Sequence, residues 1–129
     1  MKFMLMMHAP ANCAEALSKW SQDDFKAHIE FMHRLNKELT TSGELVLAEG
    51  LALPHETKTV TAKQANKPLV TDGPFPEAKE FLAGFWIVKV PNAQRAWEIA
   101  ARASVAPGPG GAPMGIPIEV RAVGEAPPV

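Results

Sequence analysis

The sequence predicts an α+β domain built on an antiparallel sheet. Three observations carry the prediction. A nearly continuous apolar run opens the chain, a long amphipathic helix pattern follows it, and several short strand-like runs then precede a second helix pattern and a final alternating segment.

Residues 2–8 (Lys2-Phe3-Met4-Leu5-Met6-Met7-His8) suit a central strand covered on both faces. Residues 9–20, with Pro10 and Asn12, read as a loop with room for a short turn of helix. Ser21 to Ser42 carries the clearest helix signal: Ser21 caps it and Asp24 completes an S-x-x-D capping box. Phe25, Ile29, Met32, Asn36 and Leu39 follow helical spacing, with His28 and Leu35 in the same stripe. Lys26, Glu30, Arg34 and Lys37 make the opposite face, where Lys26–Glu30 and Glu30–Arg34 are spaced to pair. Gly43 is placed for a left-handed cap.

Glu44 to Leu53 predicts a strand closed by Pro54, and Thr57 to Ala62 another. Residues 64–67 make a turn and Leu69–Thr71 a short extended piece. Asp72-Gly73-Pro74-Phe75-Pro76 forces a fixed loop. Phe81 to Val90 is a strongly apolar strand. Asn92 caps a second helix carrying Ala93, Ala96, Trp97, Ala100 and Ser104 on one face. Residues 106–117 are mostly Gly and Pro and form a loop, and Ile118 to Ala122 alternates as a half-exposed strand. The order βαβββαβ is a ferredoxin-like pattern with an extra piece before the second helix.

A chain of 129 residues suits one domain, residues 1–129, and 47% apolar content supplies a core. The net charge of −1, with no basic cluster, argues against nucleic-acid partners. No run is long enough to cross a bilayer, and the short apolar start is a poor signal peptide. The lone Cys13 excludes an intrachain disulfide, which fits a cytoplasmic protein.

Several blocks carry a family resemblance. They are Lys2-Phe3-Met4-Leu5-Met6, Asn36-Lys37-Glu38-Leu39 running to Gly43, and Glu49-Gly50-Leu51. Val70-Thr71-Asp72-Gly73-Pro74-Phe75, Glu77-Ala78-Lys79-Glu80, Gly84-Phe85-Trp86 and Ile118-Glu119-Val120-Arg121 follow in order. The chain resembles the YCII-related proteins, in particular the subgroup named for the DGPF tetrapeptide, here Asp72 to Phe75. The resemblance implies a ferredoxin-like fold that pairs as a dimeric α+β barrel. It also implies enzyme-like members acting on small organic compounds through a His and an Asp in a pocket between helix and sheet. It further implies an association of DGPF proteins with extracytoplasmic-function sigma factors. The family's helix histidine aligns on Met32, with His28 one turn earlier and His33 one residue later.

Asp72 reads either as an organiser of its turn, through amides two residues on, or as a buried base or substrate anchor held by rigid prolines. Glu49 reads as a pocket residue beside the bare Gly50 or as a solvent-facing strand residue. His28 reads as a hydrogen-bonded core residue or as a proton carrier. These three are the catalytic candidates, with Gly73, Pro74, Phe75 and Lys79 as substrate-binding candidates. His8 ends the first strand and could face the pocket mouth. Glu77, Lys79 and Glu80 also read as a solvated cluster. Phe85, Trp86, Trp97 and the methionines read as core.

A metal site is not expected, since His28 and His33 stand about 140° apart on a helix turning roughly 100° per residue. No cofactor is expected either, because Gly108-Pro109-Gly110-Gly111 follows a helix and lacks the Lys-Ser/Thr ending of a phosphate loop.

Two functions remain open at this point. One is a cofactor-free enzyme of lyase, isomerase or dehalogenase type, in which His28 or Asp72 moves the proton and Glu49 assists. The other is a non-catalytic ligand-binding or regulatory module linked to a sigma factor. In both, a homodimer covers the sheet face that the helices leave open.

Overall fold

The structure is a computed structural model that describes residues 1–73 and 78–128. The candidates Pro74 and Phe75, and Glu77, lie outside the described residues.

Four strands make the main sheet: β1 (Lys2–Pro10), β2 (Leu45–Gly50), β5 (Glu80–Lys89) and β6 (Ile118–Ala122). Their order is β2-β5-β1-β6, and every neighbouring pair is antiparallel. A separate hairpin of β3 (Lys58–Thr61) and β4 (Leu69–Asp72) is inserted between β2 and β5. The helices are α1 (Cys13–Leu17), α2 (Gln22–Thr41) and α3 (Ala93–Ser104). The fold is ferredoxin-like, with the inserted hairpin as the extra piece.

Some boundaries differ from the sequence reading. β1 runs on to Pro10, which pairs with Glu80. Beyond Met7, β1 no longer has β6 beside it, so Pro10 lies on an edge segment, where a missing N–H is tolerated. β2 stops at Gly50, and Pro54 starts a single turn of 3-10 helix over Pro54–Glu56 instead of merely closing a strand. Asp72 is the last residue of β4, paired with Lys58 across the hairpin.

The pleat sorts the sheet into two faces. Phe3 and Leu5 of β1 lie opposite Val88 and Trp86 of β5, and all four are buried under α2 and α3. Leu35 and Leu39 of α2 and Ile99 of α3 complete this layer, each 1% exposed or less. Burying one such side chain is worth about 1.5–3 kcal/mol. Ala96, Ala100 and Ala103 give α3 a smooth buried stripe. Ile99 shares that stripe, so its centre is rotated away from Trp97, which is 60% exposed. The expectation that Trp97 fills the core is therefore corrected. The opposite sheet face carries Met4, Met6, Phe85, Ile87 and Leu47, and among the described residues no helix covers it.

Both helix caps form as expected. The Ser21 hydroxyl accepts from the Asp24 N–H and the Asp24 carboxylate accepts from the Ser21 N–H, each at 3.0 Å. Asn92 accepts the Arg95 N–H at 3.0 Å. Gly43 takes φ +78° directly after α2, a conformation that side-chain-bearing residues avoid. Asn36, in the apolar stripe of α2, accepts the Trp86 indole N–H at 2.8 Å, which satisfies a donor that the core would otherwise strand.

The expected pairs Lys26–Glu30 and Glu30–Arg34 are not among the ion pairs of the described residues. Charge instead ties separate elements together. Glu38 of α2 bonds Arg102 of α3, and Arg95 forks onto Glu44, before β2, at 2.7 and 2.9 Å. The Arg95 guanidinium holds the Glu44 carboxyl down at about 2, against an ordinary 4.5. The N–H groups of Ser21 and Gly110 lower Asp24 as well.

Both carboxyls are depressed on folding, so their contribution is complete above the unfolded-state pKa and is lost as pH falls. Stability should therefore decline between about pH 4.5 and 2. In Glu44→Gln the part of that decline due to Glu44 should vanish, at a cost of about 1–3 kcal/mol near neutrality. Urea unfolding at stepped pH checks this. An unchanged acid slope in Glu44→Gln would count against the assignment.

Candidate functional site in the cleft beneath helix α2

Helix α2 packs on the sheet through its C-terminal half. Leu35 and Leu39 are buried there, whereas Phe25 and Ile29 nearer its start are 39% and 50% exposed. The sheet beneath that first half offers little to fill the space, because Gly50 of β2 and Gly84 of β5 are register partners. A Cβ on Gly84 would lie 3.0 Å from the Glu49 carbonyl oxygen and 3.4 Å from the Gly50 Cα, so the close strand approach favours glycine there. A Cβ on Gly50 would meet nothing within 4 Å.

The result is a cavity of about 310 Å³. Gly50, Gly84 and Met7 line it from the sheet, and His28, Met32, His33 and Asn36 line it from α2. A second, more apolar cavity of about 540 Å³ lies at the same end of the molecule, and His28 and Met7 line both.

His28 is fixed by the loop after α3. Its Nδ1 lies 3.0 Å from the Pro107 carbonyl oxygen. A carbonyl can only accept, so Nδ1 carries the proton and the neutral ring keeps its lone pair on Nε2. Trp20 meets the ring edge-on, with centroids 5.6 Å apart. The same loop is bonded to α2 again through Gly110 N–H and Asp24, at 3.1 Å.

The remaining candidates are distributed differently. Glu49 lines the cavity at the outer edge of β2. Its neighbour Ala48 packs on the core, so the pleat directs the Glu49 carboxylate toward the opposite sheet face. Asp72 is exposed on the hairpin, where its carboxylate pairs with Lys58. It lines neither cavity. The residue two positions on is Pro74, which has no N–H to offer, so the turn-organising bond anticipated for Asp72 has no donor there. Gly73 is held by two other bonds. The Gly73 N–H donates to the Thr57 carbonyl at 2.7 Å, and the Gly73 carbonyl accepts the Thr59 hydroxyl at 2.8 Å. Lys79 is exposed, and its backbone carbonyl accepts the Ala11 N–H at 2.8 Å.

His8 lies 3.0 Å from Glu119 on the helix-free face. No group of three or more His, Cys, Asp or Glu placed to hold a metal occurs among the described residues. Nor, among them, is any helix long and apolar enough to cross a membrane. Sequence reasoning missed Asn36, Gly84 and the Pro107 carbonyl. Of these only Gly84 left a signal, as a glycine inside a strand-forming run.

The family model for the YCII-related domain matches residues 1–108. The chain belongs to that family. Within this YCII-related chain, Met32 lines the cavity, with His28 one turn before it on α2 and His33 next to it. The matched residues include every residue lining this cavity and the Pro107 carbonyl that orients His28. No curated protein matches the chain.

The two glycines of the YCII cavity floor should respond in opposite ways. Gly84→Ala should cost about 1–3 kcal/mol, because the Glu49 backbone must give way. Gly50→Ala should be neutral or stabilising by about 0.4–1 kcal/mol through the unfolded chain. Thermal and urea unfolding of both variants checks the difference. Equal effects would show that the floor is not built as described.

Proposed function

We propose that the cleft beneath α2 binds a small organic molecule and that His28 exchanges a proton with it, in a cofactor-free reaction of lyase, isomerase or dehalogenase type. The observation that carries this reading is the Nδ1 bond of His28 to the Pro107 carbonyl. It pre-sets the tautomer, leaves the Nε2 lone pair free to accept a proton, and holds the ring on a cavity wall. Asn36 supplies a second polar group on the same wall. Glu49 borders the cleft but directs its carboxylate to the opposite sheet face, so it takes no part in the proton transfer. Asp72 joins the chemistry only when a second copy brings its hairpin to the cleft, since within one chain its carboxylate is exposed and paired with Lys58.

In this reading the chain is a cytoplasmic DGPF-type member of the family and works as a homodimer. The support for pairing is the uncovered sheet face, where Leu47 is 43% exposed beside Ile87, Phe85, Met4 and Met6. A twofold partner would cover that face with the same residues.

One observation favours a second reading, as a regulatory module with a protein partner such as a sigma factor. The hairpin carries Val60 and Val70 opposite each other, 59% and 54% exposed. A two-stranded hairpin is marginal alone and gains from cover.

A turnover screen over small hydroxy, keto and halogenated acids and lactones tests the first reading, with His28→Gln as the paired control. Activity should fall about 100-fold or more in the variant, the usual share of a general base. Sedimentation should show a dimer that Leu47→Glu splits. Turnover unchanged by His28→Gln would remove His28 from the chemistry. Saturable ligand binding without turnover would favour the regulatory reading.

A further inference from the structure

We infer that the larger cavity is a second binding lobe, for the neutral, apolar body of a ligand such as an aryl or medium-chain alkyl group. The inference rests on the small-molecule reading and deepens it by naming the ligand class, and its lobe shares only Met7 and His28 with the first cavity. The lobe measures about 540 Å³. A cavity of roughly 150 Å³ already holds a benzene ring, so this one has room for two fused rings or a medium chain.

Its walls are apolar and come from several elements: Leu17 of α1, Trp20, Phe25 of α2, Phe81 of β5, Leu51 and Met114. Trp20 and Phe25 lie together with centroids 5.2 Å apart. Among the described residues no Lys, Arg, Asp or Glu lines it, and the polar ones that do are His8, Asn12, Cys13 and His28. A phosphate or carboxylate placed deep in such a lobe would lose water with no countercharge to replace it. A neutral body with one hydrogen-bonding group, set against His28, fits the composition.

The lobe is also pre-formed, which lowers the ordering cost of binding. Its loop wall, residues 114–117, is fastened at both ends. The Met114 N–H donates to the Ala106 carbonyl at 2.9 Å, and Ile116 and Ser104 exchange two bonds at 3.1 and 2.7 Å. The aliphatic exposure of Leu51 and Met114, 46% and 39%, belongs to this wall.

The test uses the full chain and naphthol as the probe, with naphthalenesulfonate as its charged counterpart. The indole proton signal of Trp20 reports on the lobe, assigned by its loss in Trp20→Phe, and Trp86 and Trp97 serve as references. Naphthol should shift Trp20 saturably and should bind at least ten-fold more tightly than the sulfonate. Ala16→Phe, on the exposed side of α1, narrows the lobe, and Leu51→Glu puts a charge in it. Each should weaken naphthol at least ten-fold, and the two variants do not depend on each other for folding. His28→Gln should weaken it only a few-fold, so loss of turnover and loss of the lobe are read separately. Equal binding of the sulfonate, equal shifts of all three indoles, or full affinity in both lobe variants would overturn the inference.

Discussion

The structure depends on where helix α2 is allowed to touch the sheet. Leu35 and Leu39 anchor its C-terminal half in the core, and the Gly50–Gly84 pair withholds side chains from the space beneath its N-terminal half. Close packing would normally fill such a space. Here a Cβ on Gly84 would press on the Glu49 backbone, while Gly50 leaves its part of the floor bare, so the floor carries no side chain at this strand pair. Strand geometry thus accounts for the Gly84 half of the cleft floor.

A helix held at one end needs support at the other. The loop after α3 gives it, through Asp24 to the Gly110 N–H and His28 to the Pro107 carbonyl. The second of these bonds joins stability to chemistry. It secures the helix and also fixes which nitrogen of His28 keeps its lone pair. A proton carrier needs its geometry set before the ligand arrives, and this arrangement sets it with a neutral backbone acceptor in place of a carboxylate. The ring lies in a cleft whose other wall residues are mainly apolar.

Most of the architecture was legible in the sequence because local signals agreed with one another. The Ser21 box, Gly43, Asn92 and the alternation in β1 and β5 all pointed to one layout. Errors arose where tertiary partners override local pattern. Trp97 was placed in the core because its helical phase nearly matches the alanine stripe, and only the position of Ile99 shows that the stripe is rotated away from it. The ion pairs expected along α2 give way to Glu38–Arg102 and Glu44–Arg95, which no local spacing announces. The site was partly legible. His28 was named from its stripe and Glu49 from the glycine beside it, yet Asn36 and Pro107 act on partners far along the chain. Asp72 was read from its motif, whereas within the chain its position is set by the hairpin that carries it.

The most direct test of this account is the tautomer of His28. Side-chain nitrogen chemical shifts, recorded at a pH where the ring is neutral, distinguish a protonated Nδ1 from a protonated Nε2. The account predicts the Nδ1–H form, with that proton protected from exchange by the Pro107 carbonyl. An Nε2–H ring, or an equal mixture with rapid exchange, would contradict it and would leave the cleft without an oriented base.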